Sequence, residues 1–274
     1  MYRSLRVAVV IPAHDEARLL PVTLAGLPAF VDHVIVVDDA STDGTAAVAR
    51  RAGPWQLDVV RHARNQGVGG AIVTGYRRAL ALAVDAVVVV GADAQMDPAE
   101  MPALLDPLVT GEADYVKGDR LGHPEVRARM PRLRYLGNHV LTRLTRLATG
   151  YRHIRDSQCG YTALAAPTLE ALPLDRLYPR YGFPNDLLAR LAEQRARVVD
   201  RPVSPIYGDE RSGLRIPRVI GPILWLLARA IARRLAAGYG GGSAAKPSHS
   251  ARDTSVTASA SVGSERPRVI TQAR

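Results

Sequence analysis

The sequence predicts an α/β protein with a mostly parallel central sheet and helices on both faces, and three features carry that expectation. Short apolar runs alternate with segments of helical period through the first half of the chain. The runs are continuous rather than alternating, as in "AVVVVG", which is the pattern of strands buried on both faces. Each run then ends in a polar cluster, and sheets of this class bind ligands beyond the carboxyl ends of their strands.

Strands are expected at Leu5 to Ala13, His33 to Asp39, Leu57 to His62 and Ala86 to Gly91, each apolar and bounded by turn residues. Helical patterns fill the gaps at about Glu16 to Leu27, Asp43 to Ala52, Val68 to Ala83 and Pro98 to Val109, so the order is βαβαβαβ. "ADYVKGDR" reads as a fifth strand leading to Arg120, and "RLRYLGNHVLTRLTRLA" as a basic helix. "FPNDLLARLAEQ" is a further helix with Asn185 or Asp186 as its cap, and "ARVVDRPV" a closing strand. From Pro217 to Ala237 a last helix places Ile220, Ile223, Leu224, Leu227, Ile231 and Leu235 on one side and Arg218, Arg229 and Arg233 opposite. It is too short an apolar stretch to span a bilayer but could lie on one, or pack on the domain. The expected organisation is a domain over 1–215, this amphipathic helix over 216–237 and a disordered tail over 238–274, whose Gly, Ser and Ala content is too poor in large apolar residues to fold. The amino-terminal apolar run is followed at once by acids and reads as the first strand, not a signal peptide.

Composition narrows the function classes. With 47% hydrophobic residues in 274, the chain can bury a sizeable core. The single cysteine, Cys159, rules out an internal disulfide framework, and no histidines stand at metal-binding spacing. The net charge of +10 is carried almost wholly by arginine, with Lys117 and Lys246 the only lysines. Nine of these arginines crowd the segment from Arg120 to Arg155, which makes a basic face suited to phosphate, anionic lipid or nucleic acid. Nucleic acid is disfavoured because no aromatic stacking platform accompanies the arginines and phenylalanine occurs only twice.

The strand-end clusters carry the chemistry. "DDASTDGT" puts Asp38 and Asp39 at a strand end, where an acid can accept hydrogen bonds from a base or ribose, and Ser41 or Asp43 at a helix start, where either could be a simple cap. "NQGVGG" removes side chains at Gly67, Gly69 and Gly70 so that a helix amino end can approach a ligand, though it fits neither the dinucleotide nor the Walker pattern. In "GADAQMDP", Asp93 and Gln95 offer the hard oxygens that suit Mg²⁺ or Mn²⁺ held jointly with a diphosphate.

In order and spacing, "VVIPAHDEARLL", "VIVVDDASTDGT", "NQGVGGAIVTGY", "GADAQMDP" and "YVKGDR" resemble the family 2 glycosyltransferases with a GT-A fold. Within that family the chain looks most like the branch that moves a sugar onto a polyprenyl phosphate, such as the dolichyl-phosphate mannose and glucose synthases, and "DSQCGYTAL" is similar to a later segment of theirs. The resemblance implies a nucleotide-sugar donor and an inverting displacement, and the basic helix with the amphipathic terminal helix suits a peripheral position on the cytoplasmic face of a membrane. It implies that Pro12, Ala13 and Glu16 line the nucleotide pocket, with Asp39 facing the base and the Gly67 to Gly70 loop nearby. Asp93 and Gln95 would hold the metal, Arg120 would contact a phosphate, and Asp156, Gly160 and Tyr161 would shape the acceptor side. Gly91 departs from the pattern, because the family usually has an acid there. A phosphate acceptor needs no strong base; if the acceptor were instead a saccharide hydroxyl, Asp186 in "PNDLL" stands where the family supplies one. A nucleotidyltransferase could share the sheet and metal site, but should lack the "DSQCGYTAL" and "YGFPNDLL" blocks.

Overall fold

The computed structural model describes residues 1–51, 56–206 and 216–238, the last stretch without the side chains of 216–218. The chain divides into two units, Met1–Ser243 and Ala244–Arg274, and the second, with most of the expected disordered tail, lies outside the described residues.

Seven strands form one sheet: β1 (Val7–Ala13), β2 (His33–Asp38), β3 (Gln56–Arg61), β4 (Ala86–Val89), β5 (Tyr115–Asp119), β6 (Thr162–Ala165) and β7 (Val198–Pro202). Their spatial order is β3-β2-β1-β4-β6-β5-β7. The β1, β2, β3 and β4 pairings are parallel, whereas β6 runs antiparallel to both β4 and β5. The sheet is thus mostly parallel, as the continuous apolar runs require. β6 is the strand the sequence reading did not contain: four residues of Thr, Ala and Leu carry no β-branched run to mark them.

Strand parity sorts the core into two layers. Val7, Val9 and Ile11 of β1 face the side covered by Leu20 and Leu24 of α1 (Leu20–Ala25) and by Met101, Leu104 and Leu105 of α4 (Met101–Val109). Ala8 and Val10 face the other side, with Ala71, Ile72 and Tyr76 of α3 (Val68–Ala81) and Leu187, Leu188 and Leu191 of α8 (Phe183–Glu193). Gly75 lets α3 sit directly on the sheet: a Cβ there would fall 2.2 Å from Val10 Cγ1.

Several helices are shorter than their apolar periods suggest. The backbone N–H groups of Glu16 and Ala17 donate to Thr45 Oγ1 and Asp43 Oδ2, both at 2.9 Å, which holds these residues in the loop and delays α1 to Leu20. α2 (Thr45–Ala49) begins after Gly44, whose φ is 87°, so neither Ser41 nor Asp43 is the formal cap. Asp43 Oδ1 still accepts from Thr45 N at 3.0 Å.

The second half adds α5 (Val126–Arg129), α6 (Arg132–Thr149), α7 (Ala166–Glu170) and α9 (Ile216–Ala236). α9 docks on the domain: Ile223, Leu227 and Ala230 pack with Ala148 of α6 and Ala189 of α8. The expected stripe, interrupted near its end by Arg234, therefore divides: Ile223 and Leu227 are buried, whereas Ile220, Leu224 and Leu235 remain exposed, as does Trp225. Among the described residues no helix is long and apolar enough to cross a membrane. The expected cap of α8 also changes. Its cap residue is Gly182, and Asn185 and Asp186 lie buried in the first turn, where their side chains serve other partners.

Candidate active site

Parallel pairing brings the carboxyl ends of β1, β2, β3 and β4 to one edge of the sheet, and the loops that follow are laced together there. Asp15 N donates to Ser41 Oγ at 2.9 Å and Thr42 N donates to Asp15 Oδ1 at 2.7 Å, joining the first two loops. Non-glycine residues adopt left-handed backbone at three of these ends: Asp15 (φ 56°), Ala40 (φ 62°) and Ala94 (φ 56°). Such conformations carry local strain and gather at functional sites.

Pro12 is half-buried and Ala13 is buried at the end of β1, where Ala13 O accepts from Asp39 N at 2.8 Å. Glu16 stands half-buried at the crevice edge. Burial pushes its carboxyl above the usual range, and the charges of Asp93 and Asp43 add to the effect. Glu16 and Asp93 therefore share one acidic region. Asp93 Oδ1 accepts from Gln95 N at 3.2 Å and lies 2.7 Å from where a Gly91 Cβ would stand, so it fills the space left by the side chain this chain lacks. Thr23 of α1 braces the turn, donating to Gly91 O at 3.3 Å and accepting from Ala94 N at 3.2 Å.

These residues fit a divalent cation in one specific way. Among the described residues no cluster of three or more His, Cys, Asp or Glu is placed to cage a metal. One carboxylate and one amide oxygen, from Asp93 and Gln95, instead suit a hard cation whose remaining ligands come from a diphosphate and water.

A cleft beside this turn is lined by Gln95, Met96, Arg120, Cys159, Tyr161 and Ser204, with Val203 and Ile206. Arg120 is held there by Asp156 through a two-point pair, Nε to Oδ2 at 2.8 Å and Nη2 to Oδ1 at 3.2 Å. Asp156 is fully buried; burial alone would raise its carboxyl, but the Arg120 charge and hydrogen bonds, with Lys117 nearby, hold it below the usual range. Tyr161 is also buried, and its hydroxyl donates to Asp97 O at 3.0 Å, so it fixes the acidic turn from below. A Cβ on Gly160 would lie 3.3 Å from Met96 Cε.

Three of the expected positions are engaged within the protein. Asp39 does not face outward to a base: it is buried, accepts from Gln66 N at 2.8 Å and Gly67 N at 2.7 Å, and meets His62 Nδ1 at 2.7 Å. Its carboxylate ties the β2 end to the β3 end. The glycine loop lets a distant protein segment approach its backbone closely. A Cβ on Gly67 would lie 2.7 Å from Pro179 O, one on Gly69 2.6 Å from Tyr178 O, and Gly70 N donates to Pro179 O at 2.9 Å. Asp186, the expected base for a hydroxyl acceptor, is 2% exposed; its Oδ2 accepts from Tyr178 N and its Oδ1 from Arg229 Nη2, both at 2.9 Å.

Two further residues brace the cleft. Ser204 is pinned to the helix after the acidic turn, its N–H and hydroxyl donating to Glu100 at 3.0 and 2.8 Å. Lys117 is completely buried beneath the cleft with Nζ on Cys159 O, and burial lowers its ammonium below the usual range.

An undecaprenyl-phosphate mannosyltransferase of Micrococcus luteus is 34% identical over 205 residues, covering 73% of this chain and 83% of the relative. A UDP-N-acetylglucosamine–dolichyl-phosphate N-acetylglucosaminyltransferase of Methanococcus voltae is 27% identical over 216 residues, covering 73% and 86%. Among solved structures, glucosyl-3-phosphoglycerate synthase from Mycobacterium tuberculosis superposes with a TM-score of 0.65 at 22% identity, over 84% of this chain and 81% of that one, which identifies the fold as GT-A. That enzyme has been crystallised with UDP and Mn²⁺ or Mg²⁺. Residues 8–166 match the family described as Glycosyl transferase family 2, and the chain is a member of that family of sugar-transferring enzymes.

Proposed function

We propose that this glycosyltransferase moves a sugar from a UDP- or GDP-sugar to a polyprenyl phosphate, with inversion at the anomeric carbon, on the cytoplasmic face of a membrane. The observation that carries the reading is the state of Asp186. A hydroxyl acceptor needs a base, and the acid standing where the family supplies one is buried and spent on Tyr178 N and Arg229. A phosphate acceptor is already ionised near neutral pH and needs none. The relatives named for undecaprenyl-phosphate and dolichyl-phosphate transfer support the same choice.

In this account Pro12, Ala13 and Glu16 border the nucleotide. Asp93 and Gln95 would hold Mg²⁺ or Mn²⁺, which when bound neutralises charge on the departing nucleoside diphosphate. Arg120, fixed by Asp156 at the cleft, presents its guanidinium to a phosphate without needing to reorganise as charge develops. Tyr161 and Thr23 hold the Gly91 to Asp97 turn in place.

The test offers the enzyme equal amounts of a short polyprenyl phosphate and the matching polyprenol, with labelled UDP- and GDP-sugars. The expected product is the sugar-phosphate lipid alone. Transfer to the polyprenol, or to free sugars but to neither lipid, would overturn the reading.

A further inference from the structure

α6 is apolar on its outer side as well as where it packs on α9. Its face toward the protein carries buried Asn138, Thr142, Thr145 and Thr149 beside Leu141, Leu144 and Ala148, while Leu133, Leu136, Val140 and Leu147 are 70%, 61%, 45% and 62% exposed. The inner polar groups are used: Thr142 Oγ1 bonds to Ser157 Oγ at 3.2 Å and accepts from Ser157 N at 3.1 Å, and Asn185 Nδ2 donates to Thr145 Oγ1 at 2.8 Å. The outer leucines recur at helical spacing on one side, so the exposure is a continuous stripe rather than scattered residues.

α9 extends this surface. Arg234 Nη1 donates to Leu147 O at 2.7 Å, which places the exposed Leu147 where the two helices meet. Of the twelve most exposed large apolar side chains among the described residues, four lie on α6 and four on α9, Trp225 among them. The sequences of the two helices contain eight arginines and no acid. Arg132 and Arg143 are exposed beside the leucine stripe.

We infer that the outer faces of α6 and α9 form a docking surface for an anionic lipid bilayer, with the α6 leucines entering the headgroup boundary and the exposed Arg132 and Arg143 meeting lipid phosphates. Leucine and tryptophan on helices that carry arginine and no acid is the composition of helices that lie in a membrane interface. A second copy of the chain would bring like charge against like charge. The surface also leads to the cleft: Ser157, held by the inside of α6, adjoins the Asp156 that grips Arg120. The inference deepens the lipid-phosphate reading and rests on it for its purpose, since a docked α6 would set Arg120 near lipid-borne phosphate.

Flotation with vesicles of equal phosphatidylglycerol and phosphatidylcholine, against phosphatidylcholine alone, tests it on the full chain. Wild type should float with the anionic vesicles, and the Leu133→Glu/Leu136→Glu double variant should bind at least tenfold more weakly with an unchanged melting temperature. Turnover of a short, water-soluble isoprenoid phosphate should stay within twofold of wild type. Unchanged vesicle binding by the double variant would overturn the inference, as would a wild type that ignores vesicles and forms a dimer which the double variant dissolves. Vesicle binding without turnover of any lipid phosphate would instead sink the proposed function and leave the docking surface standing.

Discussion

Replacing Asp186 by Asn separates a structural carboxylate from a catalytic one. The asparagine keeps an oxygen for Tyr178 N but loses the charge that meets Arg229 Nη2 at 2.9 Å. A charge-assisted hydrogen bond contributes about 1.5–3 kcal/mol. The Arg229 side chain is 29% exposed and can turn partly to water, so the expected loss is near the lower end, about 2 kcal/mol. For a domain of this size that lowers Tm by about 4–8 °C. Below the transition, kcat should stay within about threefold of wild type, since the group takes no proton in the reaction. Thermal melts and initial rates on the same preparation measure both. An unchanged Tm with kcat reduced by about a hundredfold or more, the loss typical of a missing general base, would refute the assignment.

Further substitutions probe the frame and the cleft. Gly75→Ala should cost about 1–3 kcal/mol by overpacking, because the new methyl meets Val10 2.2 Å away; chemical denaturation measures it, and an unchanged midpoint would show that α3 can shift freely. Arg120→Lys should reduce transfer by about a hundredfold, since a lysine cannot reproduce the two-point pair with Asp156; full activity would remove Arg120 from phosphate contact. Burial pushes the Asp200 carboxyl up to about 6, despite a backbone donor from Arg155 and the Lys117 charge nearby. The folded chain therefore binds this proton more tightly than the unfolded chain, and the group's contribution is full below about pH 4 and lost as pH rises through about 6. Asp200→Asn should accordingly stabilise the protein at pH 7.5, by up to about 3 kcal/mol, with the gain gone at pH 4; a gain of the same size at both pH values would refute the linkage.

What could be read from the sequence depended on whether a residue's task is local. The continuous runs at Val34 to Val37 and Val87 to Val90 mark buried parallel strands because the pattern itself is the cause of burial. The acidic turn at Asp93 and the cleft position of Arg120 follow from strand ends, so they too were legible. β6 was not, because Thr162–Ala165 is short and is a strand only by pairing between β4 and β5. Asp39 and Asp186 look like ligand or catalytic groups in sequence, and only the fold shows that backbone donors and distant side chains already claim them. The close approach of the Tyr178 to Arg180 segment to the glycine loop was hidden for the same reason, since it lies more than a hundred residues away in the chain. The outer apolar stripe of α6 is visible only once its inner face is known, since its threonines and leucines recur with the same helical period.

The most direct test of the central claim is the amount of sugar label carried into the organic phase when nucleotide-sugar, Mn²⁺ and a polyprenyl phosphate are incubated with wild type and with Asp93→Ala. The account predicts metal-dependent label with wild type and a loss of at least a hundredfold in the variant, whose donor set at the acidic turn keeps only the Gln95 amide. Equal label from both proteins would contradict it, because the transfer would then owe nothing to the crevice at the strand ends.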